Sequence, residues 1–234
     1  MRALAFDTST DACSVALAVD GETVEDHRVE RQAHARLLLP MVEALLARAG
    51  LAPASLDAIV HGRGPGSFTG VRIAAAAAQG LAFAADVGTV GVSTLATIAQ
   101  GGLRENGDRH TLVTIDARMG ELYVGEYRAG AGDAVVSLVG EEAVVGPEAA
   151  GIDAVAAGAV CAGSGIERFP DAFARVASDR LRPGRLPHAR DLLALAAARI
   201  GAGALDDAAD AVPVYLRDRV ALTEAERGVE VGRA

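Results

Sequence analysis

Arg2-Ala3-Leu4-Ala5-Phe6-Asp7-Thr8-Ser9-Thr10-Asp11-Ala12-Cys13-Ser14-Val15-Ala16-Leu17-Ala18-Val19-Asp20-Gly21 opens the chain. Residues 2–7 form a short apolar run that ends on an aspartate. A polar, hydroxyl-rich turn follows, and then a second apolar run from Cys13 to Val19. Asp20-Gly21 is a strong hairpin dipeptide. A third strand over Glu22–Val29 then completes an antiparallel meander. A helix over Arg31–Ala49 comes next, closed by Gly50, and then a strand over Leu56–His61. The turn Gly62-Arg63-Gly64-Pro65-Gly66 leads to Ser67 as N-cap of a helix ending near Ala85. A strand at Gly88–Val92 and a short helix capped by Ser93 or Thr94 follow. The order is βββαβαβα.

The same grammar restarts after the polar stretch Gly101–Arg109. His110–Asp116 is again a strand ending in aspartate. Strands are expected at Leu122–Tyr127, Ala134–Val139 and Ala159–Ala162, and helices at Glu167–Val176 and Ala189–Ala202. We read an internal duplication with units at 1–103 and 104–222 and a charged tail at 223–234. The fold class is α/β, with mixed sheets flanked by helices.

Composition narrows the chemistry. The 234 residues contain 22 basic side chains, every one an arginine, and the formal net charge is −9. Without lysine there is neither a Walker-type phosphate loop nor Schiff-base chemistry. The acidic balance argues against a basic groove for nucleic acid. Cys13 and Cys161 are too few for a disulfide framework or a cysteine zinc site. Asp7 comes too early for a signal peptide. The apolar run from Ile73 to Ala85 falls short of the ~20 residues of a bilayer span. The expectation is a cytoplasmic protein without a membrane partner.

Two loops could hold an anion. Asp7, Thr8 and Ser9 offer hydroxyls and backbone N–H groups. The residues alone favour the alternative that they only satisfy their own turn. Gly64, Gly66 and Ser67 open a helix whose positive end suits a phosphate or carboxylate. The alternative is a tight strand-to-helix connection. Asp116 occupies the matching position in the second half. The histidines at 27, 34, 61, 110 and 188 have no i, i+4 pair and read as scattered surface residues. The helix over residues 31–49 is apolar nearly all round in its middle, with Pro40 predicting a kink. The next helix carries eight alanines between Val71 and Ala85. We read this pair as a partner surface centred on Leu38, Met41, Leu45, Val71, Ala74, Ala75 and Ala78.

The paired β-strand units with aspartate turns resemble the ribonuclease-H-like, actin-like ATPase fold. Gly64-Pro65-Gly66-Ser67-Phe68-Thr69-Gly70-Val71-Arg72-Ile73 is more specific. With Gln79-Gly80-Leu81, Gly91-Val92-Ser93-Thr94-Leu95, Phe6-Asp7-Thr8-Ser9-Thr10 and Pro213-Val214-Tyr215-Leu216-Arg217, it resembles the TsaB (YeaZ) family over residues 1 to about 222. That resemblance implies a non-catalytic subunit needed for threonylcarbamoyl modification of adenosine 37 in tRNAs reading codons that begin with A. It implies a heterodimer with the catalytic subunit TsaD, a third protein in the ATPase TsaE, a homodimer when alone, and tRNA contact only through the complex. TsaD carries a His-x-x-x-His metal pair after Gly-Val-Asn. Here the corresponding positions are Thr94 and Ile98, so neither a metal nor a cofactor is expected on this chain, with ATP or ADP entering only at the level of the complex. The rival readings are a small ATP-dependent phosphotransferase using Asp7 and Asp116, and a peptidase.

Overall fold

The computed structural model describes residues 1–217 apart from 152, 153 and 156; the tail expected at 223–234 lies outside the described residues. The first half contains β1 (Arg2–Asp7), β2 (Ala12–Val19), β3 (Glu22–Val29), α1 (His34–Ala49), β4 (Ala58–Gly64), α2 (Phe68–Ala85), β5 (Gly88–Ser93) and α3 (Thr94–Asn106). The second contains β6 (His110–Arg118), β7 (Glu121–Arg128), β8 (Ser137–Val145), β9 (Val160–Gly163), the single turn α4 (Gly165–Arg168), β10 (Leu181–Pro183) and α5 (Ala189–Gly201). The two five-stranded sheets run β3-β2-β1-β4-β5 and β8-β7-β6-β9-β10. In each, three antiparallel strands are followed by two parallel ones. The duplication read from the aspartate turns is therefore present in the topology.

β1 and β2 are buried almost end to end because helices cover both faces of their sheet. Leu4, Phe6, Val15, Leu17 and Ile59 face α1 and α2. The alternate positions Ala3, Ala5, Ala16, Ala18 and Val60 face α5. This is the period-2 alternation of a strand, and the alanines on the α5 side let that helix approach closely. On the second sheet, Val113, Ile115, Tyr127 and Ala162 pack on Leu95, Ile98 and Ala99 of α3. The opposite face, with Leu112, Leu122 and Cys161, packs on Ile166 and Phe173.

The two halves thus exchange helices. α3, encoded in the first half, covers the second sheet; α5, encoded in the second, covers the first. A unit boundary at 103/104 falls inside α3. Where the exchanged helices meet, Asp191 is 1% exposed and accepts from Arg104 Nε at 2.7 Å and Nη2 at 2.9 Å.

Some element assignments are corrected. α1 starts at His34, after Gln32 takes a positive φ of 60°. It runs through Pro40, which lies on its solvent side. The helix expected over Glu167–Val176 does not form. Pro170 disfavours helical backbone at Phe169, and α4 stops at Arg168, followed by a 3₁₀ turn over Pro170–Phe173. β8 starts three residues later than expected and extends to Val145. α2 has the length and composition of a membrane span, yet its Val71, Ala74, Ala75, Ala78 and Ala82 face is packed within the fold.

Removing one partner of a buried ion pair strands the other. Asp191→Ala is expected to lower the unfolding free energy by about 2–4 kcal/mol in a urea titration, with Arg104's partial exposure keeping the loss below that of a fully buried pair. A change of less than about 0.5 kcal/mol, the range of a neutral surface substitution, would show that the helix exchange does not rely on this contact.

Candidate functional site

The β1–β2 turn, the Gly62–Ser67 loop and the N-terminus of α3 converge on one point. Asp7, Thr8 and Ser9 are all buried. Ser9 donates to Asp7 Oδ1 through its backbone N at 2.8 Å and its hydroxyl at 2.6 Å. Thr94 Oγ1 donates to Ser9 Oγ at 2.9 Å and lies 3.5 Å from Asp7 Oδ2. Thr8 Oγ1 donates to the Gly70 carbonyl at 2.7 Å, and Ser67 N donates to the Ser9 carbonyl at 2.7 Å. The Ser67 side chain caps α2 by accepting from Gly70 N.

Glycine makes this closure feasible. A Cβ at Gly62 would sit inside the Asp7 carboxylate, and one at Gly66 or Gly70 would overlap the carbonyl of Ser9 or Thr8. The glycine loop is therefore a close-packing connection: Ser67 N donates to the β1–β2 turn, while the Ser67 hydroxyl caps α2. Of the residues nominated for an anion, Asp7, Thr8, Ser9, Gly66 and Ser67 come together; the side chains of Asp7, Thr8 and Ser9 are spent on one another, on Gly70 and on Thr94, and the Ser67 hydroxyl caps α2. Gly64 takes a positive φ of 98° and packs on Val71 and the Val214 carbonyl. Asp116 is not part of the cluster: its carboxylate accepts from Arg118 N at 2.8 Å and Arg118 Nη1 at 3.0 Å. Burial pushes the Asp7 carboxyl above the usual carboxylate range, opposed by the hydrogen bonds from Ser9 and Thr94.

Potential reactive groups elsewhere are muted. The Cys13 and Cys161 thiols are buried and pushed up to about 12, so little thiolate exists near neutrality. Burial lowers His61 to about 4 and keeps it neutral. Ser93, at the cap of α3, and Tyr127, on β7, both donate to Glu142 on β8, and burial together with Glu142 raises the Tyr127 phenol.

The histidines are not scattered surface residues. His34 and His61 are buried. The rings of His27 and His188 stack with centroids 4.0 Å apart, beside Glu25. Glu25 is lowered to about 2: desolvation opposes its charge, but His188, Arg190 N and Ser14 outweigh it. Sequence reading could pair Glu25 with His27 on one strand face, but it had no means of adding a residue 161 positions further on.

α1 and α2 do lie on one face of the first sheet, yet the seven side chains assigned to a partner surface do not face outward. Leu38, Met41, Leu45, Val71, Ala74, Ala75 and Ala78 are all core residues, each no more than 4% exposed. Periodicity identified the apolar stripe, and the sheet claimed it. The outward stripe of α2 is Thr69, Arg72, Ala76, Gly80 and Phe83; Leu39, Pro40, Glu43 and Ala44 are exposed on α1. Phe83 is 85% and Phe68 65% exposed. The Arg72 guanidinium stacks 3.3 Å from the Phe68 ring centroid and 5.2 Å from that of Tyr215.

A protein of Escherichia coli strain K12 is 42% identical over 227 residues, 94% of this chain and 96% of its own length; it is the tRNA threonylcarbamoyladenosine biosynthesis protein TsaB. The chain belongs to the TsaB family. The TsaB of Haemophilus influenzae is 46% identical over 120 residues, about half of either chain. A family model described as TsaD, tRNA N6-adenosine threonylcarbamoyltransferase, matches residues 28–224. The solved structure of YeaZ from Pseudomonas aeruginosa is 44% identical, superposes with a TM-score of 0.84, and covers 92% of this chain and 99% of its own. A second Pseudomonas aeruginosa structure, described as similar to peptidase YeaZ, gives 0.85 at the same identity and coverage.

The Asp7 shift has a definite sign. A carboxyl whose folded pKa lies above its unfolded value costs stability as pH rises from the unfolded value through the folded one. Asp7→Asn is therefore expected to gain on the parent protein progressively as pH rises above about 4, the ordinary aspartate value. Parallel chemical denaturation at several pH values checks this, and a difference that is flat with pH would contradict it.

Proposed function

We propose that this chain is a non-catalytic subunit of tRNA threonylcarbamoyladenosine synthesis. The observation that carries the reading is the closed turn at Asp7. The hydroxyls and carboxylate that would meet phosphates in an actin-like ATPase are bonded to one another. The N-terminus of α3 supplies Thr94 to seal them, and Ile98 is a core residue at the other position where TsaD has a metal-binding histidine. Neither side chain offers an imidazole nitrogen. A phosphotransferase built on Asp7 and Asp116 is disfavoured, because both carboxylates are spent on their own turns. A peptidase has no activated nucleophile among the buried thiols and the neutral His61.

In this reading the partner is TsaD, joined by TsaE, and the chain pairs with itself when alone. It works in the cytoplasm, needs no cofactor of its own, and meets tRNA only through the complex. The outward faces of α1 and α2 form the contact. Ala76 and Gly80 permit a close helix approach, and Phe68, Phe83 and Leu39 supply exposed apolar area. Burying one such side chain is worth roughly 1.5–3 kcal/mol, part of which offsets the cost of association.

The test separates surface from core. Phe83→Glu combined with Leu39→Glu is expected to leave a folded chain that fails to co-purify with TsaD, and cells relying on it should lack threonylcarbamoyladenosine when tRNA nucleosides are measured by mass spectrometry. Leu45→Glu should instead fail to fold, because it places a charge in the core. Normal modified-nucleoside content in cells lacking the protein would refute the functional reading. A double variant that still binds TsaD would move the interface elsewhere.

A further inference from the structure

We propose that Glu25, His27 and His188 form a binding site for one divalent transition-metal ion of the zinc class. Glu25 and His27 are two apart on β3 and so project from the same face. His188 is the N-cap residue of α5, which packs on that sheet. One ligand atom from each of the three lies within 4.8 Å of the other two. Two imidazoles and a carboxylate are a ligand set that zinc accepts, with water completing the tetrahedron.

The surroundings are those of a held ligand set. Glu25 Oε1 accepts from Ser14 Oγ at 3.0 Å and from Arg190 N at 3.2 Å, which fixes the carboxylate and aims Oε2 at His188 Nδ1, 3.2 Å away. Such outer partners orient metal ligands. His27 Nδ1 is buried and has no hydrogen-bond partner among the described residues. An unpaired buried ring nitrogen is costly, and a metal bond would satisfy it. An open cleft lined by Leu181, Arg182, Gly184 and Arg185 reaches both histidines and supplies a route of entry.

Two features oppose loading. Arg190 Nε lies 3.0 Å from Glu25 Oε2 and already balances its charge. That side chain is 38% exposed and can swing into solvent. The two rings are stacked at 13°, so their in-plane lone pairs do not meet at one point. His188 must turn about χ2, a broad torsion for an imidazole. An ion held there would tie β3 to the start of α5, the helix that the second half contributes to the first sheet.

The experiment titrates the metal-free full chain with zinc chloride by calorimetry and with Co²⁺ by visible absorption. One ion per chain is expected, with the d–d bands of a tetrahedral cobalt site. His27→Asn, His188→Asn and Glu25→Gln should each weaken binding by about tenfold or more. The His188 side chain makes no cap hydrogen bond to lose and Asn is a good N-cap residue, so circular dichroism should show α5 intact. His110→Asn should leave binding unchanged, and Arg190→Met should tighten it by removing the competing cation. The proposal is overturned if the parent chain shows no saturable binding below millimolar zinc, if binding survives both histidine variants, or if Arg190→Met weakens it.

Discussion

Arg104 and Asp191 meet where α3 and α5 cross, and the architecture depends on that crossing. Each five-stranded sheet needs a helix on both faces to bury its central strands. Neither half keeps its own second cover: α3 leaves for the second sheet and α5 returns to the first. The bidentate pair sits at the exchange, with Asp191 almost fully enclosed. Its carboxyl is pushed upward by burial and pulled back by Arg104. A charge in that position is tolerable only with its partner in place, so the pair favours the exchanged arrangement over two independent halves. Arg185 adds to the same seam by donating to Glu105 and Asn106 of α3.

The closed turn at Asp7 is a second consequence of the exchange. α3 must start at Ser93 and Thr94 to reach the second sheet, and that start places the Thr94 hydroxyl over Ser9 and Asp7. In an open loop those hydroxyls would face solvent beside the α2 N-terminus and be available to an anion. Here the Thr8, Ser9 and Thr94 hydroxyls are consumed within the protein, around a buried Asp7 carboxylate that has no salt bridge among the described residues, while Ser67, Phe68 and Thr69 at the start of α2 stay exposed. The glycines at 62, 66 and 70 are the geometric condition for that closure, since any side chain there would push the turn and the helix apart. The same residues that look like a phosphate loop in one dimension act in three dimensions as a seal between strand and helix.

With the turn sealed, what remains available to other molecules lies on the outside. α1 and α2 spend their apolar stripes on the sheet and leave a second, thinner stripe of small residues and isolated aromatics. Residues 213–217 run alongside: Val214 N donates to the Arg63 carbonyl, Tyr215 lies near Arg72, and Arg217 donates to the Ala117 carbonyl and to Glu121 across the β6–β7 turn. The family motif at residues 213–217 is thus a strap from the first half to the second, beside the outward face of α2. The cluster of Glu25, His27 and His188 lies on the other side of the first sheet, next to α5.

Local signals in the sequence determined the elements and their repetition. Asp20-Gly21 demands a tight hairpin, with both residues at positive φ. Gly50 and Ser67 end and begin helices because a left-handed residue and a hydroxyl cap are local needs. The apolar run to aspartate at Asp7 and again at Asp116 disclosed two related sheets. Tertiary structure alone decided which face each element spends. A helix stripe reads the same whether a sheet or a partner covers it, so Leu38, Met41, Leu45 and Ala75 could be recognised as buried but not assigned a neighbour. The destination of α3 and α5 is a contact across about 90 residues, invisible to periodicities of 2 and 3.6. For the same reason His188 could not be joined to His27, nor Thr94 to Asp7: hydrogen bonds and ring stacking form between points in space, and only the folded chain brings those points together.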